Sequence, residues 1–297
     1  MSSSNQTLSE LLSCSFVVID KPRGPSSHEV SAWVRKILGT EKSGHCGTLD
    51  PQVSGVLPVG VGKATKLLPY LTSKDKKYVC LMRTGREVSE QEILGLFKRF
   101  TGEITQTPPK MSAVAKVKRK RKVYYIKPIQ IKPKDVLFEV HCEAGTYIRV
   151  LVSDFGRFVG GAEMLELRRI AVGVIPESSC HTLQALSDAY WLATEKHDEA
   201  EIRKMLVPPQ EALGLPSMTV RDSAVETVCA GSPLYAPGLV GADAGIKKGG
   251  NVMLLTEKGE FIGVGKAEMP SEEIAVKKAG AVALPERIIM KRGTYPK

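Results

Sequence analysis

The sequence has no apolar run approaching the ~20 residues that a membrane-spanning helix needs. Its apolar runs are as short as FVVI at 16–19, so no membrane role is expected. The opening residues, MSSSNQTLSELLS, lack the basic region and apolar core of a secretory leader. Cysteines stand alone at 14, 46, 80, 142, 180 and 229, with no CxxC and no Cys/His ligand spacing. That argues against a structural zinc site and for free thiols in a reducing compartment, without disulfides. No internal repeat or low-complexity tract is present. One long stretch also lacks acidic charge: between Ile104 and Lys134 there are ten Lys or Arg and no Asp or Glu.

What is there fits an ordinary folded chain. Of 297 residues, 42% are hydrophobic and 25% charged, enough for one large domain or two smaller ones with real cores. The net charge of +10 hints at a polyanionic partner, since basic patches gain affinity by releasing counterions from phosphates. The densest part of the basic stretch is KVKRKRKVYYIKPIQIK at 116–132. A solvated loop or a localisation signal is the bland interpretation of such a run. Against it, Val117, Val123, Tyr125, Ile129 and Ile131 are strand-type residues interleaved with the cations. Strands presenting Lys116, Lys118, Arg119, Lys120, Arg121 and Lys122 to a phosphate backbone fit better.

FVVIDKP (16–22) reads as a strand, and SSHEVSAWVRKIL (26–38) as a helix capped by Ser26 or Ser27 with Glu29 in its first turn. Residues 55–71 read as a strand and then a helix, 76–85 as a strand, and 89–102 as an amphipathic helix. Residues 137–143 alternate as a half-buried strand, and a helix follows from Tyr147 to the glycines at 160–161. Without a regular βαβ rhythm, the mixture predicts an α+β fold with an antiparallel or mixed sheet. After the proline-rich stretch at 208–217 the texture changes to glycines, turns and short strands such as 251–255 and 259–267. The expected layout is an N-terminal tail over 1–15, a larger mixed domain over 16–215 and a small β-rich domain over 216–297.

GHCGTLDPQVSG at 44–55 stands out. An Asp-Pro turn among glycines is first of all a surface turn, with Asp50 bonded to its own backbone. Extended to GHCGTLDPQVSGVLPVGVGKATK (44–66), however, it resembles the active-site motif of a pseudouridine synthase family. That family includes the bacterial tRNA pseudouridine-55 synthase and dyskerin. DKPRGPSSHEVSAWVRKIL (20–38), KKYVC (76–80) and EAGTYIRVLVSDFG (143–156) resemble its other motifs. EMLELRRIAVG (163–173) is similar to the helix-to-strand segment that completes the pocket. The C-terminal part, with APGLVGADAGIKKGGNV and GTYPK, resembles a PUA RNA-binding domain. The resemblance covers essentially the whole chain after residue 15.

The resemblance implies an enzyme that isomerises uridine to pseudouridine in tRNA or rRNA. That reaction exchanges a C1′–N1 bond for a C1′–C5 bond, and so requires no cofactor and no metal. Asp50 would be the catalytic carboxylate, as nucleophile or base, with the glycines letting backbone approach the substrate. Tyr78 would stack on the extruded uracil. Arg149 would pair with Asp50 and hold it ionised. Tyr147 and Leu167 would line the uracil pocket, and His45 would help unstack the nucleotide. Each has a plainer interpretation: Tyr78, Tyr147 and Leu167 as core, Arg149 as a surface arginine, His45 as a loop histidine. Lys21 and Pro22 are expected to shape the fold.

Three departures from the family pattern refine the expectation. Only 35 residues separate Pro109 from Gly145, so the longer insertion with which bacterial members grip the tRNA loop is missing. With the PUA-like terminus, this resembles the catalytic subunit of an H/ACA ribonucleoprotein, with guide RNA and small accessory proteins as partners. Glu163 replaces the usual His in a shortened GGAE (160–163). The Lys-rich extensions of eukaryotic members are absent, which suggests an archaeal type and a cytoplasmic rather than nucleolar location. A stand-alone tRNA pseudouridine-55 synthase is the alternative enzyme. A non-catalytic RNA-binding scaffold is the alternative of another class.

Overall fold

The computed structural model describes residues 6–108, 115, 117–274, 276 and 279–295. The chain divides into two compact units, Phe16–Leu206 and a second formed by the residues up to Ser15 with Val207–Lys297.

The larger sheet contains β1 (Cys14–Lys21), β2 (Ser43–His45), β3 (Ser54–Gly62), β4 (Lys76–Thr84) and β5 (Gly102–Gln106). It continues with β6 (Arg119–Ile131), β7 (Asp135–Cys142), β8 (Ala162–Val172) and β9 (Ile175–Pro176). The strand order is β1-β3-β8-β4-β7-β6-β5, with β2 beside β3 and β9 beside β8. β3 runs parallel to β8, whereas β4 is antiparallel to both β7 and β8. The α+β architecture with a mixed sheet is therefore the one the alternating patterns predicted.

Period-two patterning decides which face of the sheet is buried. Tyr78, Cys80 and Met82 on β4 share a core with Val136, Phe138, Val140 and Cys142 on β7. Helices Glu90–Arg99 and Ile148–Gly156 cover that face with Ile93, Leu96, Phe97, Leu151, Val152 and Phe155. Phe138 packs against Phe97 at 5.0 Å and Phe155 at 6.0 Å between ring centroids. Each such apolar side chain contributes about 1.5–3 kcal/mol of burial, so Phe138 ties both helices to the sheet. Capping boxes start three of the described helices: Thr7 with Glu10 ahead of Leu8–Ser13, Ser26 with Glu29 ahead of Ser27–Ile37, and Ser89 with Glu92 ahead of Glu90–Arg99.

One expectation needs correcting. The segment at 163–173 contains no helix; Ala162–Val172 is strand throughout. MLEL favours a helix locally, but β8 pairs with β4 from Lys76↔Val172 to Thr84↔Ala162, and that ladder overrides propensity.

The second unit carries β10 (Ser217–Val220), β11 (Leu234–Tyr235), β12 (Leu239–Ala242), β13 (Asn251–Thr256), β14 (Phe261–Ala267) and β15 (Ala281–Ile288). Their order is β11-β15-β14-β13-β10-β12, with β10 and β13 parallel. Met218, Val220, Val252, Leu254, Ile262 and Val282 form its core with Val225 and Val228 of helix Asp222–Cys229.

Candidate active site

The loop between β2 and β3 is held at several points, and Asp50 lies at its exposed end. The hairpin register Gly44↔Gly60 and His45↔Val59 sets where the loop leaves the sheet. Ser27, in the first turn of its helix, accepts from the Leu49 N–H (2.8 Å) and donates to the Leu49 carbonyl (2.9 Å). The Gly24 N–H donates to the Pro51 carbonyl at 2.8 Å. Lys21 is fully buried, and its ammonium donates to the carbonyls of Val53 (2.8 Å), Pro22 (2.9 Å) and Pro51 (3.3 Å). Burial and the nearby Arg169 charge lower its pKa. Lys21 thus holds the C-terminal side of the turn that carries Asp50, opposite the Ser27–Leu49 contacts, which is the shaping task expected of it.

Asp50 forms an ion pair with Arg149, from the first turn of helix Ile148–Gly156. Both side chains remain about half exposed, at 52% and 47%. So open a pair contributes little to folding. It leaves a carboxylate accessible to a substrate and a guanidinium beside it.

Behind the pair, one cluster brings together Leu49 and Val53 of the loop, Tyr78 of β4, Leu167 of β8 and Ile148 of the helix. Tyr78 sits opposite Arg169 across the β4–β8 ladder and is 9% exposed. Burial raises the pKa of its phenol, which stays neutral with the Arg169 guanidinium hydrogen-bonded to it. Tyr147 is half-buried at the N-cap of helix Ile148–Gly156. His45 is half-buried within reach of Thr48 Oγ1 (3.3 Å) and is held neutral, first by burial and then by the His28 and Arg169 charges.

Arg169 is one of two residues that sequence reasoning missed. It is 1% exposed; its Nε donates to the Val56 carbonyl at 2.8 Å and its Nη2 to the Gly47 carbonyl at 3.0 Å. Burial lowers its pKa, and its partners here are two carbonyls and a phenol. A signal existed: if Leu167 faces the pocket, period two puts Arg169 on the same face. Gln106 at the end of β5 was also missed; its buried amide bonds the Tyr147 backbone.

Two glycines of the loop have an internal task. At Gly55, φ is +104° and a Cβ would sit 2.1 Å from the Arg169 carbonyl oxygen. Gly47 takes φ +72°, a left-handed conformation that L side chains rarely adopt, beside the Arg169 guanidinium. These positions need glycine to pack the loop onto β8, an internal approach.

The basic segment divides. Lys116 lies outside the described residues, and Lys118 is exposed just before β6. Arg119–Lys122 open β6, paired with β5. Lys120 forms an exposed ion pair with Glu103 at 2.9 Å, and Lys122 is exposed. The Arg121 guanidinium lies against Gly145, two residues before Tyr147, and its Nε is buried with no hydrogen-bond partner. The start of β6 therefore borders the turn that leads to Tyr147 and Arg149.

All six cysteines are free thiols, and burial pushes Cys46, Cys80 and Cys142 up to about 12. Among the described residues no group of three or more His, Cys, Asp or Glu is placed to hold a metal ion. Among them, too, no helix is long and apolar enough to cross a membrane.

Comparison with known proteins places these features. Residues 35–96 and 82–148 match the profile of the TruB family pseudouridylate synthase N-terminal domain. Residues 149–214 match the tRNA pseudouridylate synthase B C-terminal domain, 216–289 the PUA domain and 2–31 the DKCLD domain. A probable tRNA pseudouridine synthase B of Pyrobaculum arsenaticum is 45% identical over 99% of this chain and 89% of its own length. The chain belongs to the TruB family of pseudouridylate synthases. Another TruB relative, a probable tRNA pseudouridine synthase B of Methanosarcina barkeri, is 47% identical over 97% of this chain and 86% of its own. Among solved structures, a chain of a Cbf5-Nop10-Gar1 complex superposes with a TM-score of 0.93 at 44% identity, covering 99% of this chain and 90% of that one. A chain of an H/ACA ribonucleoprotein bound to a substrate RNA containing 2′-deoxyuridine gives 0.91 at 42% identity, with coverage of 99% and 90%.

Proposed function

We propose that this TruB-family chain isomerises uridine in RNA as the catalytic subunit of an H/ACA guide ribonucleoprotein, with Asp50 as its catalytic carboxylate. The observation that carries the assignment is the Asp50–Arg149 pair: an accessible carboxylate with a fixed cation, at the edge of the cluster that holds Tyr78 and Leu167. The adjacent guanidinium favours the ionised form of Asp50, which attack on ribose C1′, addition to the uracil ring and removal of a ribose proton all require. Tyr78, Tyr147 and Leu167 then contact the extruded base, and His45 assists its extraction. Unstacking costs a few kcal/mol, which pocket and backbone contacts offset.

The cations Lys116, Lys118, Arg119, Lys120, Arg121 and Lys122 hold the RNA backbone in this reading. The exposure of Lys118, Lys120 and Lys122 supports it, since their ammonium groups can reach a phosphate. The domain layout follows: a catalytic domain over 16–215, a PUA domain over 216–297 that grips RNA, and residues 1–15 ahead of both. Relatives that superpose closely are solved with Nop10 and Gar1, which supports small accessory proteins of that kind as partners. The working compartment is the cytoplasm.

The relatives' names favour a second activity, direct modification of tRNA. Tritium release from tRNA labelled at uridine C5 separates the two. Release by the purified chain alone makes the guide dispensable, whereas release only after guide RNA and accessory proteins are added supports the guided enzyme. Silence under both conditions leaves an RNA-binding scaffold.

A further inference from the structure

Helix Ile148–Gly156 presents Arg149 to Asp50, yet its N-cap residue is Tyr147, which supplies no capping side chain. The turn before it is held by Thr146, whose N–H and hydroxyl both donate to the Glu143 carbonyl (3.2 and 2.8 Å). The first helical carbonyl, that of Tyr147, accepts from the Leu151 N–H at 3.0 Å. Neither contact sets where Tyr147 sits relative to the sheet. Gln106 does.

Gln106 is the last residue of β5, 41 positions away in sequence and 3% exposed. The Tyr147 N–H donates to Gln106 Oε1 at 3.0 Å, and Gln106 Nε2 donates to the Tyr147 carbonyl at 3.1 Å. This reciprocal pair treats Tyr147 as a strand partner would, fixing its position and the orientation of its peptide planes together. It supplies an N-terminal N–H with an acceptor that no cap provides. Arg149 is two residues further on, in the same first turn. The register Gln106↔Arg119 links the anchor to β6 and so to the sheet.

We infer that Gln106 is a positioning residue for the reaction: its buried amide sets Tyr147, and through it Arg149, against Asp50. The inference rests on the reading of Asp50 as the catalytic carboxylate. A displacement of about 1 Å at such a site costs on the order of a hundredfold in rate, while RNA held over a wide basic surface scarcely registers it. Loss of the amide therefore affects the chemical step far more than RNA affinity.

The test uses the full chain assembled with guide RNA and accessory proteins, or alone if the chain alone is active. Single-turnover rate and RNA affinity are measured separately. Gln106→Met keeps the volume and removes both bonds; the expected result is a rate at least about tenfold lower with RNA affinity within about threefold. Gln106→Glu supplies the readout that a merely structural role would not move. Its carboxylate can accept from the Tyr147 N–H but sets an oxygen against the Tyr147 carbonyl; the protonated acid restores both bonds. Because burial raises a carboxyl pKa, the ratio of Gln106→Glu to wild-type rate should rise as pH falls from about 8 to about 6.

A folded Gln106→Met complex with wild-type rate overturns the inference. So does a fall in rate matched by an equal fall in affinity, or a Gln106→Glu ratio flat with pH. Asp50→Asn measured alongside keeps the two claims apart. Turnover by that variant overturns the reading of Asp50, whereas an inactive Asp50→Asn beside an unaffected Gln106→Met overturns the Gln106 inference alone.

Discussion

Positive charge is used in opposite ways in two regions of the larger unit. Around the Asp50 loop, Lys21, Lys76 and Arg169 are all at most 5% exposed and spend their donors on backbone carbonyls. Along the start of β6, Lys118, Lys120 and Lys122 are exposed, and Lys120 meets Glu103 at the surface. A buried cation is costly unless each donor is satisfied, so it holds a fixed geometry. An exposed cation keeps its water and its mobility, and is available to a phosphate backbone. Composition counts both kinds as one net charge of +10. Only the fold separates the charges buried around the Asp50 loop from those exposed along β6.

The strongest way to break this contrast is to remove the chemistry while leaving both sets of cations intact. Asp50→Asn should abolish turnover with RNA affinity within a few-fold of wild type, by tritium release and filter binding. Comparable loss of both in a folded protein would make Asp50 structural. Next comes the buried set. Arg169→Met leaves the carbonyls of Gly47 and Val56 without their donors. Hydrogen bonds to a charged group are worth about 1.5–3 kcal/mol each, so we expect a loss of about 3 kcal/mol or more in urea unfolding. A variant as stable as wild type would mean that the loop keeps its shape without the arginine.

The exposed set should behave differently. Replacing the exposed Lys118, Lys120 and Lys122 with alanine should weaken RNA binding and lower the salt-dependence slope by roughly 0.7 for each phosphate no longer neutralised. Thermal stability should move little, because surface ion pairs such as Lys120–Glu103 contribute little. An unchanged slope would exclude this strand from binding phosphates and leave the RNA to other surfaces.

The same division explains what could be read without coordinates. Asp50, Tyr78, Arg149 and Leu167 could be picked out because each lies in a contiguous motif at recognisable spacing. The helices Ser27–Ile37 and Glu90–Arg99 and the alternating β7 were legible because their signals are local. Arg169 and Gln106 were not, because their work is tertiary: Arg169 reaches Gly47 across 122 positions and Gln106 reaches Tyr147 across 41. The packing role of Gly55 was hidden for the same reason, since its close neighbour is the backbone of β8, which no local pattern announces. The expected helix within 163–173 failed where a long ladder outweighed local propensity.

The mildest effect, and the sharpest probe of burial, concerns Lys76. Its ammonium donates to the carbonyls of Thr72 (2.6 Å) and Lys74 (2.5 Å), and burial, with Arg169 nearby, brings its pKa down to about 8. In the unfolded chain the same group titrates near 10.5. Between these values the unfolded state binds more protons than the folded one, so stability rises with pH across that window. Below about 8 both states are protonated and the cost of a buried charge is present in full. Lys76→Met removes the two hydrogen bonds to carbonyls at every pH but has no proton to exchange. The wild-type melting temperature should therefore rise relative to that of Lys76→Met between pH 8 and 10, and the difference should be level below pH 8. Parallel profiles throughout would mean that Lys76 titrates as an exposed lysine does, and it would then belong with the cations of β6.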